Sequence, residues 1–208
     1  MPHQDAFLPA FATPIFTRQL RGNEALHARL LEAVRGLEQA GRSDDRYRSH
    51  QGGFYTPGTL FNDCVPPFTD VRDLFRAAVR AYVDQVASTG HGRKQAIPDH
   101  WIHLQGWAAL TRAGDYQPPH AHAGSNLSCV YYVAVPAKPD PQGTLDLLNP
   151  LVLQEMTFIP GGNTTHCRIV PRAGMLVIFP AYVLHTVHPF YGEGERVCIV
   201  ANAIIRPA

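Results

Sequence analysis

Apolar residues in the first hundred positions recur at spacings of three and four, whereas in the second hundred they gather into short runs. Leu26, Leu30, Leu31, Val34 and Leu37 predict a helix over residues 22–40, with Asn23 placed to cap it and Gly41 to stop it. Val71, Leu74, Phe75, Val79, Tyr82, Val83 and Val86 predict a second helix over 69–88, with Thr69 or Asp70 as its cap. Residues 7–17 read as an extended segment jointed by prolines, 42–66 as mostly loop, and 89–99 as a polar connection. Strands are expected at 101–111, 127–135, 143–148, 153–158, 166–170, 174–179, 183–189 and 196–205. Short strands punctuated by Gly and Pro indicate a mainly β sandwich or barrel of jelly-roll type, its two helices covering one sheet from outside. No internal repeat, low-complexity tract or linker interrupts the chain. One domain is expected, with a helical N-terminal part (1–99) and a β core (100–208).

Composition narrows the picture. At 208 residues and 45% apolar, the chain is long enough to bury a core, and 18 Pro and 17 Gly suit a turn-rich fold. A formal charge of +1 lacks the basic excess of a nucleic-acid or membrane-surface binder, so neither partner is expected. No apolar run approaches the roughly 20 residues of a membrane span. Met1–Asp5 do not resemble the start of a signal peptide, so a cytoplasmic location is expected. Cys64, Cys129, Cys167 and Cys198 form no C-x-x-C pair and are expected to be reduced and buried.

Eleven histidines are unusual against so few charged residues, and histidine is the commonest metal ligand. In Pro118-Pro119-His120-Ala121-His122, alternation along a strand would aim His120 and His122 to one side, the geometry two ligands of one metal require. An isolated H-x-H is as readily two polar residues on a solvated strand. His185 follows His122 by 63 positions, after the apolar run Gly174–Pro180, which would deliver it to the open end of a barrel. His188 is odd-spaced from His185 and would face the other way. Arg196 opens a strongly apolar run. A guanidinium facing a barrel interior needs an anion to offset its desolvation, and its fork suits a carboxylate. Pairing with Glu193 or Glu195 at a strand edge is the alternative. Together, two near ligands, a distant third and an anion-binding arginine make one coherent site, leaving metal positions open for a bidentate cosubstrate and dioxygen.

This order of residues resembles the iron(II)/2-oxoglutarate oxygenases, including the prolyl hydroxylases, and more narrowly a bacterial oxygenase group related to them. Trp107, His120-Ala121-His122, Ser125, Ser128-Cys129-Val130-Tyr131-Tyr132-Val133, Gly174–Pro180, His185, and Arg196 with Asn202 carry the likeness, and Phe11–Phe16 and Gly52-Gly53-Phe54 extend it. The resemblance implies a double-stranded β-helix, with Fe(II), 2-oxoglutarate and O2 as cofactor and cosubstrates. It also implies hydroxylation of a small-molecule or peptide substrate, with release of succinate and carbon dioxide. His120 and His185 match the iron-binding histidines, Arg196 the residue that holds the distal carboxylate of 2-oxoglutarate, and Tyr132 a tyrosine that assists it. The acidic ligand expected two residues after the first histidine is His122 here. His122 either completes a three-imidazole site or leaves the third position to water, with Asp115 and Asp146 as alternative carboxylates. Cys129 stands where the group has Gly, and Cys198 where the broad family has a small residue such as Ser.

Three other readings stay open: a three-histidine cupin-type enzyme not using 2-oxoglutarate, a non-catalytic metal- or ligand-binding module, and a structural jelly roll. The loop 43–53 and the insert 160–166 are candidates for substrate contact. Phe54, Tyr55, Trp101 and Trp107 are expected in the core. Open edge strands leave room for a homodimer.

Overall fold

The structure, a computed structural model, describes residues 12–44, 50–89, 97–138, 141–151 and 165–207. Two helices and ten strands follow one another in the order β1 (Phe16–Gln19), α1 (Glu24–Gln39), β2 (Phe54–Tyr55), α2 (Phe68–Thr89), β3 (Ile102–Thr111), β4 (Gln117–His120), β5 (Leu127–Ala134), β6 (Leu145–Leu148), β7 (His166–Ile169), β8 (Met175–Pro180), β9 (His185–Val187) and β10 (Arg196–Ile205). A six-stranded antiparallel sheet runs β1-β8-β5-β10-β3-β2, and a four-stranded sheet runs β4-β9-β6-β7. From β3 onward the chain passes back and forth between the two sheets, which is the double-stranded β-helix expected from the sequence.

Both helices lie where their apolar stripes predict. Leu30 and Val34 of α1 and Val71, Phe75, Ala78 and Val79 of α2 are buried against one face of the large sheet, on Cys129, Tyr131, Val133, Ile199 and Ala201. Fully burying a side chain of this size contributes about 1.5–3 kcal/mol, so this layer carries much of the fold's stability. Between the sheets lies a second cluster, in which Val130, Tyr132 and Phe179 meet Leu145, Leu147 and Val187. Strand alternation decides which residues enter which layer. On β10, Val197, Ile199, Ala201 and Ala203 face the helices. Their neighbours Arg196, Cys198, Val200 and Asn202 face inward.

Several local expectations change. Asn23 occupies the N-cap position of α1 without a capping side-chain bond; its amide instead donates to the Tyr131 hydroxyl at 3.4 Å. Gly41 ends the helix in the left-handed region, with φ +64°. Because α2 begins at Phe68, Thr69 and Asp70 lie inside its first turn, and Asp70 accepts from Arg29 of α1 at 2.7 Å. The N-terminal part is not purely helical, since β1 and β2 form both edges of the large sheet. These strands are short, and β2 pairs only two positions of β3, too little pattern to predict. All four cysteines are free, but Cys64 and Cys167 are exposed rather than buried, because one lies in a loop and the other on the edge strand of the small sheet. The expected strand at 153–158 falls outside the described residues. Gly106 lies mid-strand because the Phe61 ring packs against it, 2.2 Å from where a Cβ would stand.

Candidate metal centre and cosubstrate pocket

The open end of the two sheets encloses a cavity of about 450 Å³. The pairing of β4 with β9 sets His120 directly opposite His185. β4 ends at His120, so His122 leaves the ladder. Its backbone N–H donates to the Ala181 carbonyl, and its side chain still turns to the same side. Ring nitrogens of His120, His122 and His185 come within 4.8 Å of one another, the only such cluster of His, Cys, Asp or Glu among the described residues. The His122 and His185 Nε2 atoms are 3.3 Å apart. Two nitrogens each about 2.1 Å from one ion sit roughly 3.0–3.4 Å apart, so the spacing suits a shared metal.

Hydrogen bonds fix which nitrogens are available. His120 Nδ1–H donates to the Pro118 carbonyl at 2.9 Å, and His185 Nδ1–H donates to the Val183 carbonyl at 3.0 Å. Each ring therefore presents the lone pair of Nε2, the arrangement in which an outer partner orients a metal-binding imidazole. His122 lies face to face with Trp107, ring centroids 5.8 Å apart. Burial, then the neighbouring His120, hold His122 at about 4 and His185 at about 3; burial also lowers His120. All three are thus neutral imidazoles at neutral pH, the form that binds metals. Imidazole suits iron, and the set leaves further coordination positions open.

Deeper in the cavity lies Arg196, only 6% exposed. Its guanidinium stands 5.1 Å from the centre of the Tyr132 ring. Glu195, the alternative partner, instead takes Arg35 at 2.8 Å and Arg112 at 2.9 Å on the surface. Arg196 Nε and the Tyr132 hydroxyl are buried without a hydrogen-bond partner among the described residues. Two unpaired donors beside a buried cation fit a bound carboxylate. Burial pushes the Tyr132 phenol up to about 12, so it keeps its proton. Tyr131, one residue earlier, faces the helices and meets His27 Nε2 at 2.7 Å, as alternation required.

The alternative carboxylates are elsewhere. Asp146 is bound by Arg168 at 2.7 Å and by His188 at 2.9 Å, on the side of the small sheet away from the cavity. That pairing also turns His188 away from His120, His122 and His185. Asp115 accepts from the Arg112 backbone at 2.7 Å and does not line the cavity. Tyr55 and Trp107 correct the expectation of core aromatics, since both line the cavity, whereas Phe54 is in the core. His50, stacked on Tyr55 at 3.5 Å between ring centres, and Asp44 line the same cavity from the described parts of the 43–53 loop, of which residues 45–49 lie outside the described residues. Most of the 160–166 insert lies outside the described residues.

Residues 105–202 match the family model described as "Putative 2OG-Fe(II) oxygenase", a span that contains every residue of the site from Trp107 to Asn202. Over those residues, just under half of the chain, the protein is similar to the iron(II)/2-oxoglutarate oxygenases. Solved structures share its fold. A Pseudomonas putida prolyl-4-hydroxylase superposes with TM-score 0.61 at 17% identity, over 94% of this chain and 94% of that one. A viral collagen prolyl hydroxylase from Paramecium bursaria chlorella virus-1, in its 2-oxoglutarate complex, gives 0.58 at 14%, over 91% and 94%. HygX from Streptomyces hygroscopicus, with nickel and 2-oxoglutarate bound, gives 0.54 at 12%, over 93% and 83%. No curated protein matches the sequence. No helix among the described residues is long and apolar enough to cross a membrane.

Proposed function

We propose that the protein is a 2-oxoglutarate- and iron(II)-dependent dioxygenase in which His120, His122 and His185 bind the iron and Arg196 and Tyr132 hold 2-oxoglutarate, and that it hydroxylates a small-molecule or peptide substrate. The observation that carries the proposal is the convergence of three imidazoles, distant in sequence, beside a buried guanidinium with an unpaired N–H. Iron and 2-oxoglutarate together supply the oxidising chemistry, with succinate and carbon dioxide as co-products.

The protein's own residues select, orient and shield. The Pro118 and Val183 carbonyls lock His120 and His185 in the tautomer that offers Nε2. The Arg196 fork binds the distal carboxylate, and the neutral Tyr132 hydroxyl donates a further hydrogen bond to it. Leu145 and Val187 wall this region with apolar surface, which keeps water out and strengthens the ion pair. Three neutral imidazoles bring no negative charge to the metal, one fewer than a set of two histidines and a carboxylate. The centre therefore attracts an anionic cosubstrate more strongly.

Aerobic incubation with iron(II) and 2-oxoglutarate tests the proposal, with succinate measured. Slow, iron-dependent succinate formation that disappears in His185→Ala and Arg196→Met is expected. Succinate at the iron-free background in the unaltered protein contradicts it.

A further inference from the structure

His122 stands apart from the other two imidazoles of the centre. His120 and His185 lie on paired strands, and a backbone carbonyl takes the Nδ1–H of each. His122 lies beyond the end of β4. Its Nε2 meets His185 Nε2 at 3.3 Å, and no backbone carbonyl among the described residues accepts from its ring. A neutral imidazole has two tautomers, and the hydrogen bond made by one nitrogen decides whether the other offers its lone pair to a metal. His122 therefore needs a hold that its own strand does not provide.

The inward face of the large sheet places two side chains against this ring. Trp107 pairs with Val200 and Gln105 with Asn202 across β3 and β10, so Trp107 and Asn202 are diagonal neighbours, about 7–8 Å apart. Both line the cavity. The indole is nearly parallel to the His122 ring, at 15° between planes. Stacking fixes the plane of an imidazole without choosing its nitrogen, because a ring turned over in that plane stacks equally well. The Asn202 side chain reaches the same ring. Its Oδ1 is buried and closes no hydrogen bond among the described residues. A buried acceptor left unpaired costs about 1–3 kcal/mol, and with Nε2 turned to a metal the His122 Nδ1–H is the donor that matches it.

Resting on the proposed three-imidazole iron site, we infer that Asn202 is the positioning residue of His122: its Oδ1 accepts the Nδ1–H and commits Nε2 to the metal, while Trp107 holds the ring plane. Asn202 thus does with a side chain what the Pro118 and Val183 carbonyls do for His120 and His185. An acceptor is the partner that a histidine ligand requires. A carboxylate at position 122 would have no N–H to give and would call for a donor instead. Asn202 acts on the metal through His122.

Anaerobic titration of iron(II) with 2-oxoglutarate present, followed by the visible absorption of the chelate, compares the unaltered protein with Asn202→Leu and Asn202→Asp. Asn202→Leu removes the acceptor at similar size, and the iron dissociation constant should rise about 10–100-fold, the usual cost of losing the outer partner of a metal ligand. Asn202→Asp keeps an acceptor oxygen and should bind iron at least as tightly as the unaltered protein. Zinc(II) is a diamagnetic stand-in for the iron. In the zinc-loaded protein, the Nδ1–H protons of the three imidazoles should appear in proton–nitrogen NMR spectra. The one signal that His122→Ala removes should also be the one that Asn202→Leu removes. Iron affinity within about threefold of normal in Asn202→Leu, or persistence of the His122 Nδ1–H signal in that variant, overturns the inference. So does an Asn202→Asp protein that binds iron as weakly as Asn202→Leu, which would make the amide structural. His122→Ala separates the failures. If it binds iron as tightly as the unaltered protein, His122 is no ligand and the proposed iron site is wrong; if it binds weakly while Asn202→Leu binds normally, only the role of Asn202 is wrong.

Discussion

Replacing Arg196 by methionine separates stability from ligand binding. In the ligand-free protein the guanidinium is 6% exposed, has an unpaired Nε and stands over the Tyr132 ring. Desolvating such a charge costs several kcal/mol. The cation–π contact returns about 2 kcal/mol of that. Methionine keeps an unbranched apolar stem without the charge. The variant should therefore be more stable by about 1–3 kcal/mol, which in a chain of this size raises the melting temperature by roughly 2–12 °C. Binding moves in the opposite direction. Removing one partner of a buried, hydrogen-bonded ion pair costs about 3–5 kcal/mol. At about 1.4 kcal/mol per decade, the dissociation constant of 2-oxoglutarate should rise from one-hundredfold to a few thousandfold. Differential scanning fluorimetry with and without iron(II) and 2-oxoglutarate, with anaerobic calorimetry alongside, reads both quantities. A variant that melts several degrees lower and binds 2-oxoglutarate within threefold of normal would refute the reasoning, because the cation would then be structural.

Three further outcomes follow from the same geometry. Asp146→Asn breaks the contacts with Arg168 and His188 that hold this carboxyl at about 2, so the urea midpoint should fall by the equivalent of about 2–4 kcal/mol; weakened iron binding would instead restore Asp146 as a ligand. Gly106→Ala drives a methyl group into the Phe61 ring and should destabilise by about 1–3 kcal/mol in the same assay, whereas a neutral effect would show that the ring can retreat. In the metal-free protein, His122 at about 4 and His185 at about 3 lie below the ordinary 6.5, so the unfolded chain takes up protons first as pH falls. This contribution to stability is complete above about pH 6.5 and is lost between there and pH 3–4. Urea unfolding at pH 7 and pH 5 should show the difference, and equal midpoints would argue against buried neutral imidazoles.

Much of the site was legible because its residues obey strand alternation. A period of two put Tyr132 rather than Tyr131 in the cavity and turned His188 away from His185. The apolar run Gly174–Pro180 was enough to predict that His185 would arrive at the open end. What stayed hidden depends on partners far apart in sequence. The choice between Glu195 and a ligand for Arg196 could not be made without knowing that Arg35 and Arg112 converge on Glu195. Asp146 stayed open as a ligand because the stagger of β6, β7 and β9, which joins it to Arg168 and His188, is set by pairing rather than by composition. Trp107 and Tyr55 read as core because an aromatic in an apolar run looks the same whether its strand faces a packed layer or a cavity.

The three-imidazole centre is tested most directly by anaerobic titration of iron(II) in the presence of 2-oxoglutarate, followed by the visible charge-transfer absorption of the chelate. One iron per chain should develop the band, and His120→Ala and His185→Ala should each abolish it while remaining folded. A band of undiminished strength in His185→Ala would show that the iron binds elsewhere.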